Sequence, residues 1–572
     1  MSTIVTSEAK CRDCYKCVRH CPVKAIAIKD SQAHVVEENC LFCGRCVNVC
    51  PQKAKSTVSQ ISKLDDFLKA GEKVIVSLAP SYLAATEYST PWKFTAALRQ
   101  LGVDRIEETA VAAEAIAEQY ARLFNSQGNS TIITSCCPVV VNLIEKYFPR
   151  LVGSLARLMS PMAAHARMIK KERGEDVRVV FVGPCFAKKA EPGLGDAEDA
   201  LDAVITFEEL LGYFSLNGIA PETLEDVYPD RISTHARTYP LRYGILKASG
   251  LEGIPYDDMP VISGVEECME TFKDMEEGHL SPRFVEAFGC AGGCIGGPAM
   301  ANNLGISARQ KRLLKFSREI DSAAKAQEVH MIPQVSLSRE HSATPLDEAM
   351  PTEEEIRKIL ALTGKFSPED EKNCGGCGYS TCREKAIAVY RGLAEPEMCV
   401  THMREKAESL SNIVVDTSLN AIIVVDKDMV IQEFNQAANR MFNRKKIPPK
   451  GKHLSAFIDP TDFKKVWDEQ KIMVNLRKQY EQYGLVTRQM LYPLPKYGVV
   501  IGVITDISSE EAQEQELANM RREALTRASK VIREQMRIAQ EIAGLLGEST
   551  ADTKATLLEL IEIMERSEGK TG

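Results

Sequence analysis

Eighteen cysteines in 572 residues constrain this chain more than any apolar pattern does. Eight of them fall in two copies of one spacing. Cys11, Cys14, Cys17 and Cys21-Pro22 form the first copy; Cys40, Cys43, Cys46 and Cys50-Pro51 form the second. Clustered cysteines in a chain without a secretory leader favour metal over disulfides. This spacing suits a pair of 4Fe-4S clusters, in which the fourth cysteine of each run serves the other cluster. Cys11, Cys14, Cys17 and Cys50 are therefore expected to hold one cluster, and Cys40, Cys43, Cys46 and Cys21 the second. Thiolates are soft ligands suited to iron–sulfur chemistry. The prolines break each ligand helix. Residues 1–58 read as a two-cluster ferredoxin module that moves electrons; a pair of zinc knuckles is the competing reading.

Three further cysteine segments lie in the next stretch, about residues 59–360. They are Thr134-Ser135-Cys136-Cys137-Pro138, then Gly183-Pro184-Cys185-Phe186-Ala187-Lys188-Lys189-Ala190-Glu191, then Cys290-Ala291-Gly292-Gly293-Cys294-Ile295-Gly296-Gly297. No two are close enough in sequence for a short-loop zinc site. Apolar runs of strand length at 73–79, 131–134 and 177–183 alternate with helical patterns at 92–101, 113–124, 138–147 and 161–173. That alternation predicts an α/β domain with buried strands, in which sites collect where strands end and helices begin. Cys136-Cys137 follows a strand, and Pro138 takes a first helical position. A helix start favours thiolate over thiol. The glycines around Cys290 and Cys294 let backbone approach a bulky group.

In this order behind a ferredoxin module, TSCCP, PCxxKKxE and C-x3-C-x-GG resemble the three signatures of FeFe-hydrogenases. The resemblance covers most of residues 1–305 and implies a two-lobed α/β H-cluster domain. Carried over, it implies that Cys137, Cys185, Cys290 and Cys294 hold the 4Fe-4S part of an H-cluster. Cys294 would also bridge to a two-iron subsite carrying CO, cyanide and azadithiolate. Cys136 matches the proton-shuttle thiol, and Lys188, Pro184 and Ser81 match groups that contact the cyanides. The implied reaction is reversible splitting of H2 into protons and electrons. Maturation factors that supply the two-iron subsite are then implied partners.

The chain also departs from that pattern. Counting from Cys136, the position of a relay serine falls on Ala156. The relay glutamates fall near Gln119 and Tyr120, with Glu114 and Glu118 close by in sequence. A tryptophan after the first signature gives way to Val139-Val140-Val141, and two methionines become Gly183 and Phe288. Ligands kept while a proton path is rewritten predict low turnover. A relative that holds cubanes without a two-iron subsite, as in eukaryotic iron–sulfur assembly proteins, is the alternative. Cys268 and His165 are expected to be structural.

Cys374, Cys377, Cys382 and Cys399, within about residues 361–408, resemble a small four-cysteine 4Fe-4S domain, with zinc as the alternative. That brings the expected total to three 4Fe-4S clusters besides the H-cluster. Residues 409–508 resemble a PAS domain: strands at 419–426 and 429–431, a helix from 434, and a strand at 498–505. Its lone His453 is expected to be a surface residue. Residues 509–572 read as a helical tail with a coiled-coil-like seam at Ile532, Met536, Ala539, Ala543 and Leu546. Gly547 would end that helix, Thr550 would cap a second, and Leu557, Ile561 and Met564 would continue the apolar face. The seam suggests a homodimer.

The net charge of −8 argues against a general nucleic-acid surface. No stretch of about 18 apolar residues suggests a membrane span. The expectation is a multidomain α/β and α+β protein of the cytoplasm. It would resemble a sensory, PAS-containing hydrogenase that hands electrons to a ferredoxin-like partner or a signal to a downstream protein. A metabolic ferredoxin-linked hydrogenase is a further alternative.

Overall fold

The computed structural model describes residues 3–126, 128, 130–191, 200–253, 258–324, 335–346 and 349–546. These form two units, residues 1–403 and 404–572.

In the first unit the N-terminal module is two small antiparallel ribbons. Ile4–Thr6 pairs with Lys55–Thr57, and Ile26–Lys29 with Gln32–Val35. Between them lie the ligand helices Lys16–His20 and Arg45–Asn48, each followed closely by its proline. The second helix starts at Gly44, with φ +74°. A side chain there would meet both the ring of Phe186 and Pro298, so the backbone of this module lies directly on the central domain.

The central domain has two parallel sheets. One runs Arg105–Glu108, Val74–Leu78, Arg178–Gly183, Ala203–Thr206; the other runs Val261–Ser263, Phe284–Phe288, Ile132–Ile133. Strands Val74–Leu78, Arg178–Gly183 and Ala203–Thr206 are buried along nearly their whole length, as parallel strands with both faces covered are. Helices Pro138–Tyr147 and Pro161–Arg173 lie where the sequence places them. The helix expected at 113–124 spans Ala110–Ser126. Strand Arg105–Glu108 carries no apolar signal, since two of its four residues are glutamates that the fold buries.

Helix Glu353–Ala361 packs Ile356 and Leu360 on Ala386 of helix Cys382–Tyr390. The four-cysteine segment also shares a core with the ferredoxin module: Tyr379, Ala388 and Met398 pack among Val18, Ile26 and Ile28. The Ile28 amide donates to Leu393 O at 3.0 Å. Nothing in the sequence pattern announces this pairing of segments some 350 residues apart.

The second unit is a five-stranded antiparallel sheet in the order Ile431–Phe434, Ala421–Asp426, Val499–Asp506, Leu485–Leu494, Met473–Tyr480. Alternate residues of Ala421–Asp426 are buried, as a sheet with one covered face requires. Helices Gln436–Phe442 and Thr461–Glu469 cover that face, and Gly502 leaves room for the ring of Phe463. This is a PAS fold. Helix Ser508–Leu546 follows, with Ile532 and Met536 half-exposed along it. Gly547, Thr550, Leu557, Ile561 and Met564 lie outside the described residues.

Candidate metal centre

The three central cysteine segments converge on one cavity of about 100 Å³. Each is delivered by the end of a strand. Cys137 is the N-cap of helix Pro138–Tyr147, just after strand Ile132–Ile133. Cys185 follows strand Arg178–Gly183, and Cys290 follows Phe284–Phe288. Cys294 is tied down by its amide, which donates to Pro240 O at 2.8 Å. Gly293, at φ +85°, lies against that same carbonyl, so no side chain fits there.

Cys137, Cys185, Cys290 and Cys294 line the cavity, joined by Cys136, Ser81, Pro184 and Lys188. Every central site residue expected from the sequence is therefore in one place. The remaining wall is mostly apolar and includes Phe181, Met162 and Phe288. The Phe181 ring occupies the room left at Gly183, 2.7 Å from where a side chain would begin.

Three observations test whether a metal cofactor fits. The Ser81 hydroxyl is buried without a partner, as is that of Tyr239, which also lines the cavity. A buried hydroxyl left without a partner costs roughly 1–3 kcal/mol, which a bound acceptor recovers. The Lys188 ammonium is 11% exposed; it donates to Glu191 Oε2 at 2.7 Å and lies 3.4 Å from Cys136 O. Among the described residues, the one set of three or more candidate ligand atoms mutually within 4.8 Å is the exposed Asp274, Glu277 and His279. No cysteine set is drawn in as tightly as a tetrahedral zinc site, whose sulfurs lie about 3.8 Å apart. The four thiols, the ammonium and the unpartnered hydroxyls fit an iron–sulfur group with anionic ligands.

The expectation that a helix start favours thiolate fails at Cys136. Burial pushes its thiol well above the usual range, the neighbouring Cys137, Cys294 and Glu286 act in the same direction, and Lys188 opposes them. Burial likewise raises Cys185 to about 11. Desolvation outweighs the helix field here, so Cys136 is held as a neutral thiol. Ligand thiols so placed ionise only against a metal.

Cys11, Cys14, Cys17 and Cys50 line a second cavity, which brings together the fourth-cysteine exchange expected from the spacing. Cys21 acts electrostatically on Cys40 and Cys46. Cys374, Cys377, Cys382 and Cys399 line a third cavity. Cys268 lines none of these cavities; it is buried in the core against which Cys137 and Cys185 pack, its Sγ 3.5 Å from Phe288 O. His165 is buried too, 2.8 Å from Ser77 Oγ and 3.5 Å from Glu107. His453 is exposed and turned to Ser455.

The relay positions are apolar or occupied. Ala156 packs in the same core as Cys136 and Phe288. Tyr120 is fully buried, and its hydroxyl accepts the Ser135 amide at 2.9 Å. One oxygen of Glu114, Oε1, accepts from Ser233, Thr234 and His235. Glu118 is exposed.

Sequence reasoning missed Tyr239 and Glu286, which carry no motif. Glu286 Oε2 accepts the Ile245 and Leu246 amides at 3.0 and 2.9 Å, and its other oxygen has no partner. Burial raises its carboxyl from 4.5 to about 7. The folded state therefore keeps a proton that the unfolded state releases between these values. Its contribution is present below about pH 4.5 and is lost as pH rises through about 7, by about 3 kcal/mol. Glu286→Gln should flatten this dependence, so that thermal unfolding at pH 5 and pH 8 differs less than in the wild type.

Comparison with known proteins agrees with this construction. Residues 72–298 match the family of the iron only hydrogenase large subunit, C-terminal domain. Residues 10–54 match a 4Fe-4S dicluster domain, 370–401 a putative Fe-S cluster family and 413–513 the PAS fold. Residues 72–298 are thus similar to an iron-only hydrogenase domain, flanked in the sequence by segments similar to iron–sulfur and PAS modules. Among curated proteins, the chain is similar to Iron hydrogenase 1 of Clostridium pasteurianum, 29% identical over 303 residues, 43% of this chain and 53% of that one. The match therefore spans about half the length of that relative. The periplasmic Fe hydrogenase large subunit of Nitratidesulfovibrio vulgaris is 27% identical over 51% of this chain and 84% of its own. The cytosolic Fe-S cluster assembly factor NAR1 of Encephalitozoon cuniculi is 26% identical over 35% of this chain and 59% of its own. A solved FeFe-hydrogenase of Chlamydomonas reinhardtii aligns over 50% of this chain and 100% of its own, at 18% identity and a TM-score of 0.41. Among the described residues no helix is long and apolar enough to cross a membrane.

Proposed function

We propose that the protein is a hydrogen-responsive redox sensor with slow hydrogenase activity, signalling through its PAS domain. One observation carries the reading. A neutral thiol, an ammonium and an unpartnered hydroxyl share an apolar cavity with the four ligand thiols. A cubane alone needs only the four thiols; the other three suit a group with anionic ligands and a proton to exchange.

When bound, a two-iron group supplies heterolytic cleavage of H2. The chain's own residues do the rest. Cys137, Cys185, Cys290 and Cys294 hold iron. Lys188 supplies the cation, and Ser81 a hydroxyl donor, that desolvated anions require. Phe181, Met162 and Phe288 exclude water. Cys136, buried and neutral, gives or takes a proton at Sγ. Ala156, in the core that also holds Cys136, stands at the position of a relay serine and carries no proton donor, which is the reason for slow turnover. Clusters held by Cys137, Cys185, Cys290 and Cys294, by the ferredoxin module and by the four-cysteine domain packed on it would supply a path for electrons. A downstream protein receives the signal, and the half-exposed Ile532 and Met536 suit a homodimer seam.

The resemblance to NAR1 supports a second reading, an iron–sulfur scaffold without the two-iron group. Infrared spectroscopy after maturation decides between them. The sensor reading expects intrinsic CO and cyanide bands and H2-dependent shifts in them. A fully iron-loaded protein without such bands is the scaffold.

A further inference from the structure

The four-cysteine domain holds two charges that its chemistry has yet to explain. Lys365 and Lys385 are 8% and 7% exposed, and both line the cavity of Cys374, Cys377, Cys382 and Cys399. Lys365 Nζ donates to Thr363 O at 3.1 Å, to Thr363 Oγ1 at 2.9 Å and to Cys399 Sγ at 3.3 Å. Lys385 Nζ donates to Pro396 O at 2.7 Å. Neither forms an ion pair with a carboxylate among the described residues. Burying an ammonium is costly unless a negative charge answers it. Four thiolates around a 4Fe-4S core supply that charge.

The other sites are built differently. The ferredoxin module has one comparable ammonium, Lys55, 4% exposed, which lines the cavity of Cys11 and Cys50 and also acts on Cys46, so two clusters share it. At the central site Lys188 is answered by Glu191 at 2.7 Å. Unanswered buried charge is therefore greatest at the four-cysteine domain.

We infer that Lys365 and Lys385 make the cluster of Cys374, Cys377, Cys382 and Cys399 the electron sink of the chain, the first cluster to be reduced. A cluster that accepts one electron gains one negative charge, and an unanswered ammonium in a poorly solvated wall stabilises the reduced form more than the oxidised one. The electron comes from the ferredoxin clusters. Arg19 links the two modules: its guanidinium donates to Cys14 O at 2.9 Å and to Gly376 O at 3.0 Å. The sensor reading gives this sink its role, that of the cluster whose charge state records exposure to H2. Its position is independent of that reading, because it concerns the cubanes alone.

The test is a dithionite titration of the full chain, reconstituted with cubanes and without the two-iron group, followed by electron paramagnetic resonance. Cys382→Ala assigns the signal by removing it. In the wild type that signal should appear before those of the ferredoxin pair. Lys365→Met and Lys385→Met should each move its midpoint to lower potential and leave the ferredoxin signals in place, and Lys→Arg at either position should keep it. The inference is overturned if the signal appears after the ferredoxin pair, or if both methionine variants, at full iron content, titrate as the wild type does. Should methionine cost iron, the order of reduction in the wild type still decides. Failure of the H2 reading shows separately, as missing infrared bands in matured protein.

Discussion

Cys136→Ala should lower H2 oxidation and evolution by roughly 10²–10⁴-fold, the range by which a positioned proton-transfer group accelerates a reaction. Its CO and cyanide bands should stay. The two outcomes separate because Cys136 lines the cavity beside the ligands and is not among them. Its thiol is buried at a mostly apolar cavity wall, so water is a poor substitute for it. Cys136→Ser should recover little, since a hydroxyl surrenders its proton far less readily than even a buried thiol. Film electrochemistry on matured protein gives the rates and infrared spectra give the bands. Equal rates in Cys136→Ala and the wild type would remove Cys136 from the mechanism and leave the metal site intact.

Lys188→Met should have two effects of different origin. The first is on stability. Glu191 is 1% exposed, with one oxygen 2.7 Å from Lys188 and the other 3.7 Å from Arg339. Removing Lys188 leaves a buried carboxylate short of its nearest counter-charge, at a cost of about 3–5 kcal/mol. The second is on the cofactor, because the cation facing anionic ligands is gone. Lys188→Met with Glu191→Gln should restore most of the thermal stability, since the buried carboxylate is then gone and only the partly exposed Arg339 loses a partner 3.7 Å away. It should not restore the CO and cyanide bands or turnover. If the double variant regains both, the role of Lys188 is confined to holding Glu191.

The grouping of the cysteines was legible in the sequence: three of the four sets expected from it line one cavity each. Ligand spacing is a covalent fact: a 4Fe-4S core demands thiolates within a fixed reach of one another, and the runs at Cys11 and Cys40 meet that demand with any fold. Strand-to-helix junctions at Cys137 and Cys185 were legible because apolar runs of five or six residues announce buried parallel strands. Strand Arg105–Glu108 escaped notice because Glu107 and Glu108 are buried against Arg105, Arg231 and Arg237, partners the pattern does not reveal. Tyr239 and Glu286 escaped for a similar reason. A tyrosine and a glutamate acquire meaning only once burial strips them of water and aims them at a site.

The sequence by itself determined which cysteines converge on the central cavity and which on the cavity of the four-cysteine domain. Only the tertiary structure decided that Cys136 is a thiol and not a thiolate. Desolvation by the surrounding core exceeds the helix field there, and the balance of those two depends on packing. The structure alone also decided where charge is left unanswered. Lys188, Lys365 and Lys385 are alike in the sequence, yet the fold gives one a carboxylate and the other two only sulfur, hydroxyl and carbonyl. Charge acts through distance and dielectric, and both are set by contacts between segments far apart in the chain.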